Sequence, residues 1–218
     1  MPAALPPVVG LVVVFLASAL VGVAASLTER RGVLIVAKPL TTALLFLVAG
    51  QPHSQFGWLI DLGIFFSLAG DTALLFPSKN ALLIGLGIFL GAHISYIVAF
   101  AGAAGNGLFA APVLLCGAVM LGASALLLRR LWSGASGMRV PLVIYAAALS
   151  GMVTTAFASS MASVPVTAAL GAALFYVGDA SLAIDQFHRR FKLAPLLTLG
   201  VYWLGQLGIA LAARAAGG

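Results

Sequence analysis

Long apolar stretches alternate with short polar breaks along the whole chain. The breaks are clusters of charge, proline or glycine, and each stretch has about the 20 residues that an α-helix needs to cross about 30 Å of hydrocarbon. Eight stretches are predicted, at residues 5–27, 33–50, 57–76, 81–103, 108–131, 140–161, 164–186 and 194–214. The pattern therefore predicts an all-α, polytopic membrane helix bundle, with residues 1–218 forming a single transmembrane domain.

The composition agrees with this pattern. Hydrophobic residues make up 62% of the 218 positions and charged residues only 7%, and the mean hydropathy is +1.16. A soluble domain exposes far more charge than this, so the soluble classes are excluded. The connections between the stretches are too short to hold an extramembrane domain.

The formal charge of +6 indicates membrane orientation and not a nucleic-acid partner, because the basic residues are segregated. One side of the bundle has Arg30, Arg31, Lys79, Arg129, Arg130, Arg139, Arg189, Arg190 and Lys192. The opposite side has only Arg214, near the C-terminus. By the positive-inside rule, both termini are expected outside the cytoplasm, and the expected location is the bacterial inner (cell) membrane. Attraction to anionic lipid headgroups is a second role for the same residues.

The first stretch and the cysteine content exclude other interpretations. Val23-Ala24-Ala25-Ser26 has the look of a signal-peptide cleavage site, but no Lys or Arg precedes it and the apolar run is too long, so we expect a retained helix. Cys116 is the only cysteine, and His, Cys and carboxylates do not cluster at metal-ligand spacing. The sequence therefore predicts neither a metal nor a cofactor.

Two aspartates lie inside apolar stretches in similar contexts, Ser67-Leu68-Ala69-Gly70-Asp71 and Phe175-Tyr176-Val177-Gly178-Asp179. A carboxylate at bilayer depth costs roughly 2.5–3.5 kcal/mol on insertion scales. The chain has only five acidic residues, so the two buried ones are predicted to have a function.

The same motifs predict an internal repeat. Aligning them makes the third and seventh stretches equivalent, and the second and sixth then share Pro-Leu near their starts, in Lys38-Pro39-Leu40 and Val140-Pro141-Leu142. The prediction is a 4+4 parallel duplication, which puts the functional elements of both halves on one side of the membrane. Coincidence in a low-complexity apolar sequence is the alternative, because identity outside these motifs is poor.

Counting residues along the helices predicts a shared polar layer. At about 1.5 Å of rise per residue, Asp71 and Asp179 both come out roughly 8–12 Å from the cytoplasmic boundary. Lys38, Tyr145 and Tyr202 come out at the same level. Five helices are therefore expected to contribute polar groups to one layer.

Lys38 shares a helix face with Thr41 and Thr42, which follow it by three and four residues. Between them Pro39 removes a backbone donor and leaves carbonyl groups in need of a partner. Three roles stay open for Lys38: an anchor at the cytoplasmic interface, a cation that binds a lipid phosphate, or the partner of a carboxylate.

Two more polar pairs lie about one helical turn apart. His93 and Tyr96 belong to the fourth stretch, and His93 comes out about 18–20 Å from the cytoplasmic end, deeper than the aspartates. That offset favours a hydrogen-bonded core histidine over a proton-transfer group. Tyr202 and Gln206 in the eighth stretch are predicted to bond between helices or to line a polar cavity.

Two facing carboxylates in a low-dielectric site cannot both stay ionised at low cost, so one is expected to hold a proton beside an ionised partner. Such a pair suits acid-catalysed hydrolysis through an oxocarbenium ion. Aspartyl intramembrane proteolysis and proton-coupled transport use similar groups. The Gly-x-Gly-Asp and Pro-Ala-Leu motifs of those proteases are missing, and aspartates placed toward one face favour an interfacial enzyme over a transporter.

Six motifs follow one another in this chain: Ala37-Lys38-Pro39-Leu40-Thr41-Thr42, Phe66-Ser67-Leu68-Ala69-Gly70-Asp71, Gly91-Ala92-His93-Ile94-Ser95-Tyr96, Val143-Ile144-Tyr145, Gly171-Ala172-Ala173-Leu174-Phe175-Tyr176-Val177-Gly178-Asp179 and Tyr202-Trp203-Leu204-Gly205-Gln206. In this order and spacing they resemble the YhhN-like integral membrane proteins, which include lysoplasmalogenases. The resemblance implies eight helices and hydrolysis of the vinyl ether bond of a lysoplasmalogen, giving a fatty aldehyde and a glycerophospho-alcohol. Residue 178 is Gly where many members of that family are expected to have Ser.

The expected site has Asp71 and Asp179 as catalytic residues. The substrate-binding or supporting residues are expected to be Lys38, Thr42, His93, Tyr96, Tyr145, Tyr202 and Gln206. The implied partners are a lysophospholipid substrate and membrane lipid, with the lipid tail in the apolar bundle and its phosphate at Lys38 or at loop arginines. The alternative function is a proton-coupled transporter of a small molecule or lipid.

Overall fold

The computed structural model describes residues 7–217 and consists of eight long helices. In chain order they are α1 (Pro7–Leu27), α2 (Arg31–Ala49), α3 (Gln55–Ala73), α4 (Lys79–Ala104), α5 (Ala111–Leu131), α6 (Arg139–Ala162), α7 (Thr167–Phe187) and α8 (Tyr202–Ala215). A 3₁₀ helix, Gly105–Phe109, precedes α5, and a π-helical segment, Leu196–Val201, leads into α8. Residues 7–217 contain no β-strand, and the eight helical segments are long and apolar enough to cross a membrane, which confirms the predicted fold class.

The helix ends differ from the predicted ones by a few residues, and serine caps explain two of the shifts. α3 and α4 each begin two residues earlier than predicted, because the Ser54 and Ser78 side chains accept backbone N–H bonds at 3.1 and 3.0 Å. α3 also ends earlier, at Ala73, which leaves Asp71 in its last turn. Residues 5 and 6 of the predicted first stretch lie outside the described part of the chain.

Helix contacts in the first half of the chain recur in the second. α1 packs on α2, α2 on α3 and α3 on α4, and the corresponding neighbours pair among α5 to α8. The halves join through two equivalent contacts, α2 with α8 and α6 with α4. This pattern supports the 4+4 duplication predicted from the Gly-Asp motifs. α5 is peripheral: it packs mainly on α6 and buries few residues.

α7 and α8 approach each other closely because glycines face one another along their contact. A Cβ atom added to Gly171 would lie 2.6 Å from the backbone oxygen of Gly205, and one added to Gly178 would lie 3.0 Å from backbone atoms of Tyr202. Small residues of this kind let the backbones of membrane helices come together. The contact holds Tyr202 beside α7, the helix that carries Asp179.

Two irregularities in the helices lie beside residues of the predicted site. α2 continues through Pro39, directly after Lys38. The π-helical segment Leu196–Val201 ends immediately before Tyr202, and its hydrogen bonds reach one residue further than those of an α-helix. Below, the end of the bundle that carries Lys79, Arg139 and Arg190 is called the basic end.

Candidate active site

A polar cavity of about 460 Å³ opens toward the basic end of the bundle. Its walls come from α2, α3, α4, α6, α7 and the start of α8, and Lys79 and Arg190 stand at its exposed mouth. The five residues that the depth count put in one layer all line it: Lys38, Asp71, Tyr145, Asp179 and Tyr202. The structure thus brings the predicted polar layer together around one space.

The carboxylate of Asp71 is buried among hydrogen-bond donors. Thr42 Oγ1 donates to Asp71 Oδ2 at 2.5 Å, and the Tyr202 hydroxyl donates to the same oxygen at 3.1 Å. Lys38 Nζ lies 3.3 Å from Oδ1. A carboxylate that accepts from two hydroxyls and pairs with a cation has the surroundings that suit its ionised form.

A chain of hydrogen bonds behind Tyr202 sets the direction in which these donors point. The Tyr96 hydroxyl donates to Gln206 Oε1 at 2.7 Å, which orients the amide. Gln206 Nε2 then donates to Ser67 Oγ at 2.7 Å and to the Tyr202 hydroxyl at 3.3 Å. Because Tyr202 accepts from Gln206, its own hydrogen is left for Asp71.

Two residues of this network were not predicted from the sequence. They are Ser67 and Trp203. The indole N–H of Trp203 donates to Thr42 Oγ1 at 3.2 Å, so the Thr42 hydrogen is left to bond to Asp71. Trp203 follows Tyr202 directly, but adjacent helical residues point about 100° apart, so their spacing does not indicate a shared site. The sequence offers one indication of this bond, because a Trp buried in an apolar helix needs an acceptor for its N–H.

Asp179 has a different set of neighbours. The Tyr145 hydroxyl donates to Asp179 Oδ2 at 2.5 Å. His93 Nε2 is 3.6 Å from the same oxygen, beyond hydrogen-bond distance. His93 Nδ1 lies 2.6 Å from the carbonyl oxygen of Phe89, so Nδ1 carries the hydrogen of the neutral ring and Nε2 is bare. Among the described residues no lysine or arginine forms an ion pair with Asp179, so its ionised form has less support than that of Asp71.

The residue count put His93 deeper than the aspartates and favoured a core histidine, and the fully buried ring nonetheless brings Nε2 within 3.6 Å of Asp179 Oδ2. α4 has 26 residues, more than the about 20 needed to cross the hydrocarbon, so a count from one end of this helix does not fix the depth of a residue. His93 does make the core hydrogen bond that was expected, and it packs edge-on against Tyr145 with centroids 4.9 Å apart.

Of the three roles left open for Lys38, the structure shows pairing with a carboxylate. The side chain is only 8% exposed and lies against Asp71, so it is not an anchor at the interface. The cations at the exposed mouth of the cavity are Lys79 and Arg190. Behind the cavity wall, Thr42, His93, Tyr96 and Gln206 are fully buried and hold the lining residues in place.

The part of the chain that the structure describes contains no group of three or more His, Cys, Asp or Glu side chains arranged to hold a metal ion. The polar atoms of the site are instead joined to one another by hydrogen bonds and by the Lys38–Asp71 ion pair. Two aspartates in different surroundings line the cavity, and proton transfer is a reaction that such carboxyl groups can perform.

Eight apolar helices around a cavity lined by two carboxylates define a polytopic integral membrane protein with a polar site inside the bundle. Residues 33–213 match the model of the YhhN family, and the chain belongs to that family.

Curated relatives carry names that describe one activity. The chain is 29% identical to lysoplasmalogenase TMEM86B of Rattus norvegicus over 181 residues, which is 83% of this chain and 72% of the relative. It is 30% identical to lysoplasmalogenase TMEM86B of Mus musculus, over 83% of this chain and 74% of the relative. It is 33% identical to a lysoplasmalogenase of Mycobacterium tuberculosis over 138 residues, 60% of this chain and 50% of the relative. No solved structure matches the chain.

Proposed function

We propose that this protein is a lysoplasmalogenase-like hydrolase that cleaves the vinyl ether bond of a lysoplasmalogen to a fatty aldehyde and a glycerophospho-alcohol. The observation that carries the proposal is the unequal pair of aspartates lining one cavity: Asp71 beside a lysine, Asp179 beside a tyrosine and a bare imidazole nitrogen. The relatives named lysoplasmalogenase support the same reaction.

The first step assigns Asp179 as the acid. Its carboxyl group protonates the alkenyl carbon two atoms from the ether oxygen, and the electrons of the double bond form the new C–H bond. The carbon attached to oxygen becomes an oxocarbenium ion, and Asp179 becomes a carboxylate. The ionised Asp71 stabilises this cation across the cavity, as the second carboxylate does in glycoside hydrolysis.

The second step assigns Asp71 as the base. A water molecule attacks the oxocarbenium carbon, and Asp71 takes the proton that the water loses, which gives a hemiacetal. In the third step Asp71 returns that proton to the glyceryl oxygen, while Asp179 takes the hemiacetal hydroxyl proton. The C–O bond breaks, aldehyde and alcohol leave, and both aspartates regain their starting protonation. One water molecule is consumed in each cycle.

The substrate phosphate is proposed to lie at the mouth of the cavity, near Lys79 and Arg190. Lys38, the other candidate from the sequence, is paired with Asp71. Both mouth residues are exposed at the basic end, where a lipid headgroup lies when its chain remains among apolar helices. Lysine and arginine both bind phosphate through charge-assisted hydrogen bonds.

A direct test measures aldehyde release by purified protein from a lysoplasmalogen and from the saturated ether of the same chain and headgroup. We expect aldehyde from the vinyl ether alone, because a saturated ether has no carbon that can accept the proton. In D₂O, the trapped aldehyde should carry one deuterium on the carbon next to its carbonyl group. Aldehyde without that deuterium would refute carbon protonation. Protein that released no aldehyde but took up protons with a solute into vesicles would be a transporter.

The leaflet that the cavity faces depends on the orientation of the bundle in the membrane. We propose that the basic end faces the cytoplasm and that both termini do not, because nine of the ten interfacial basic residues share one side. Topology reporters fused after Arg190 and at the C-terminus should report opposite sides, the first cytoplasmic. A cytoplasmic signal from the C-terminal reporter would mean that the cavity faces the other leaflet.

A further inference from the structure

A second compartment lies beside the polar cavity. It is narrow and almost wholly apolar, and its volume of about 40 Å³ is enough for a few carbons of a hydrocarbon chain. It is formed by α5, α6 and α7 with the start of α4, and it is here called the apolar groove. Its walls beyond the cavity include Leu127, Leu128, Leu131, Ala146, Leu149 and Ala183. None of these side chains can hydrogen-bond or carry charge, so the groove suits a hydrocarbon ligand.

The groove and the polar cavity share one wall. Leu82 and Leu86 of α4, and Leu182 and Gln186 of α7, line both spaces. Tyr145 and Asp179 also line both. The boundary between the polar and apolar compartments therefore passes over the carboxyl group that is proposed to protonate the substrate.

We infer that the apolar groove binds the first few carbons of the alkenyl chain of the lysolipid while the polar cavity holds its headgroup, an assignment that rests on the proposed function. In such a lipid the vinyl ether joins the polar and apolar parts. A molecule lying across both compartments brings that bond to their boundary, beside Asp179. A single unbranched chain is the ligand class that a narrow groove of this kind accepts.

The floor of the groove is held in shape by three hydrogen-bonded hydroxyl groups. Ser124 Oγ lies 2.8 Å from Ser150 Oγ and 2.9 Å from the Tyr176 hydroxyl, which ties α5 to α6 and α7. Ser124 and Tyr176 line the groove. Because their polar atoms are already paired with one another, they do not need water, and the peripheral α5 is fixed at the distance that keeps the groove open.

The groove is expected to orient the chain more than to add affinity. A lipid chain in the bilayer is already in apolar surroundings, so moving it into the groove gains little hydrophobic free energy. Holding the chain places the alkenyl carbon against the Asp179 carboxyl group, and a displacement of about 1 Å can cost about a hundredfold in rate. Blocking the groove should therefore lower turnover of long-chain substrates.

The test compares Ala183→Phe, which fills the groove, with Ala173→Phe, which adds the same ring to the exposed side of α7. Each is assayed with a long-chain lysoplasmalogen and with one truncated to a propenyl group, which is too short to enter the groove. We expect Ala183→Phe to lower turnover of the long substrate about a hundredfold and of the short one less than about threefold. Ala173→Phe should leave both near wild type. Equal loss on both substrates, or none on either, would overturn the assignment.

A binding measurement separates this inference from the proposed reaction. A saturated ether lysolipid with a photoreactive diazirine a few carbons along its chain should crosslink to the α5 segment around Leu127 and Leu128. Ala183→Phe should abolish that crosslink, and Ala173→Phe should not. If wild-type protein releases no aldehyde yet gives this pattern, the reaction fails and the groove assignment stands. Crosslinks spread over the exposed faces of all helices would overturn the groove assignment, whatever the activity.

Discussion

The two halves of the bundle contain the same Gly-Asp motif in very different surroundings. Asp71 is held by a lysine and two hydroxyl donors, whereas Asp179 is held by a single tyrosine next to a bare imidazole nitrogen. The difference begins in the preceding helices, where Lys38 comes before the Pro-Leu of α2 and Val140 comes before that of α6. Corresponding positions in the two halves thus have unequal surroundings, which is what the proposed acid and base require.

The largest effect is expected from removing either carboxyl group. Asp71→Asn and Asp179→Asn keep the size of the side chain but can neither donate an acidic proton nor carry charge, so each should lower turnover about a thousandfold or more. The double variant should be scarcely worse, since groups that act together are non-additive. Asp61→Asn, on α3 but outside the cavity, is the matched control and should stay near wild type. Near-normal hydrolysis by either variant would refute the pair.

The two aspartate variants should differ in stability, although both are expected to lose activity. Asp71→Asn leaves the buried Lys38 without its partner, which costs about 3–5 kcal/mol of folding free energy. Asp179→Asn should cost much less, because no lysine or arginine depends on it in the ion pairs of residues 7–217. Thermal unfolding in detergent measures both. Lys38→Met added to Asp71→Asn should restore stability but not activity; an unchanged melting temperature in Asp71→Asn would contradict the difference.

Removing the hydroxyl groups of Tyr145 and Tyr202 should also have unequal effects on turnover, smaller than those of the aspartate variants. A hydrogen bond to a charged group is worth about 1.5–3 kcal/mol, or roughly ten- to a hundredfold in rate. In the proposed cycle Asp71 is charged at the start, and Asp179 becomes charged as it gives up its proton. Tyr145→Phe removes the one hydroxyl that contacts Asp179, whereas Tyr202→Phe leaves Asp71 with Thr42 and Lys38. Turnover should therefore fall further in Tyr145→Phe. Equal losses, or a greater loss in Tyr202→Phe, would show that the two carboxyl groups depend on their neighbours alike.

The smallest effect is expected at the mouth of the cavity. Arg190→Gln should raise KM about fivefold with little change in turnover, because a cation near a headgroup contributes about 1 kcal/mol. Arg189→Gln is the control, since the neighbouring arginine does not line the cavity. Lys38→Met should instead lower turnover, because Lys38 is paired with Asp71. A rise in KM alone for Lys38→Met would return the phosphate-binding role to that residue.

Much of the fold and part of the site could be predicted from the sequence. Hydrophobic spans and breaks fix the number of helices, since membrane thickness allows few alternatives. Counting residues also put Lys38, Asp71, Tyr145, Asp179 and Tyr202 in one layer, and all five line the cavity. Depth from an end is well defined for helices of similar length.

The partners within the site were harder to predict, because they depend on how the helices tilt and rotate. His93 Nε2 lies 3.6 Å from Asp179 Oδ2 although the residue count put His93 deeper, because a count along one helix does not give its tilt or rotation in the bundle. The Trp203–Thr42 bond joins side chains that are 161 positions apart in the chain, and only the contact between α2 and α8 reveals it. The choice between Asp71 and Asp179 as the acid likewise needed their three-dimensional neighbours.

The π-helical turn before Tyr202 limits which single-codon deletions the genes of this family can tolerate. A π-turn holds one residue more than the corresponding α-turn, so deleting a single codon within Leu196–Val201 would let the segment relax into an ordinary α-helix. Residues before the deletion would then turn by about 100° relative to those after it. Thr198 and Leu199 would leave the cavity wall while Tyr202 kept its place against α7. Alignments are therefore expected to place one-residue gaps in this region rarely, although it lies close to a loop.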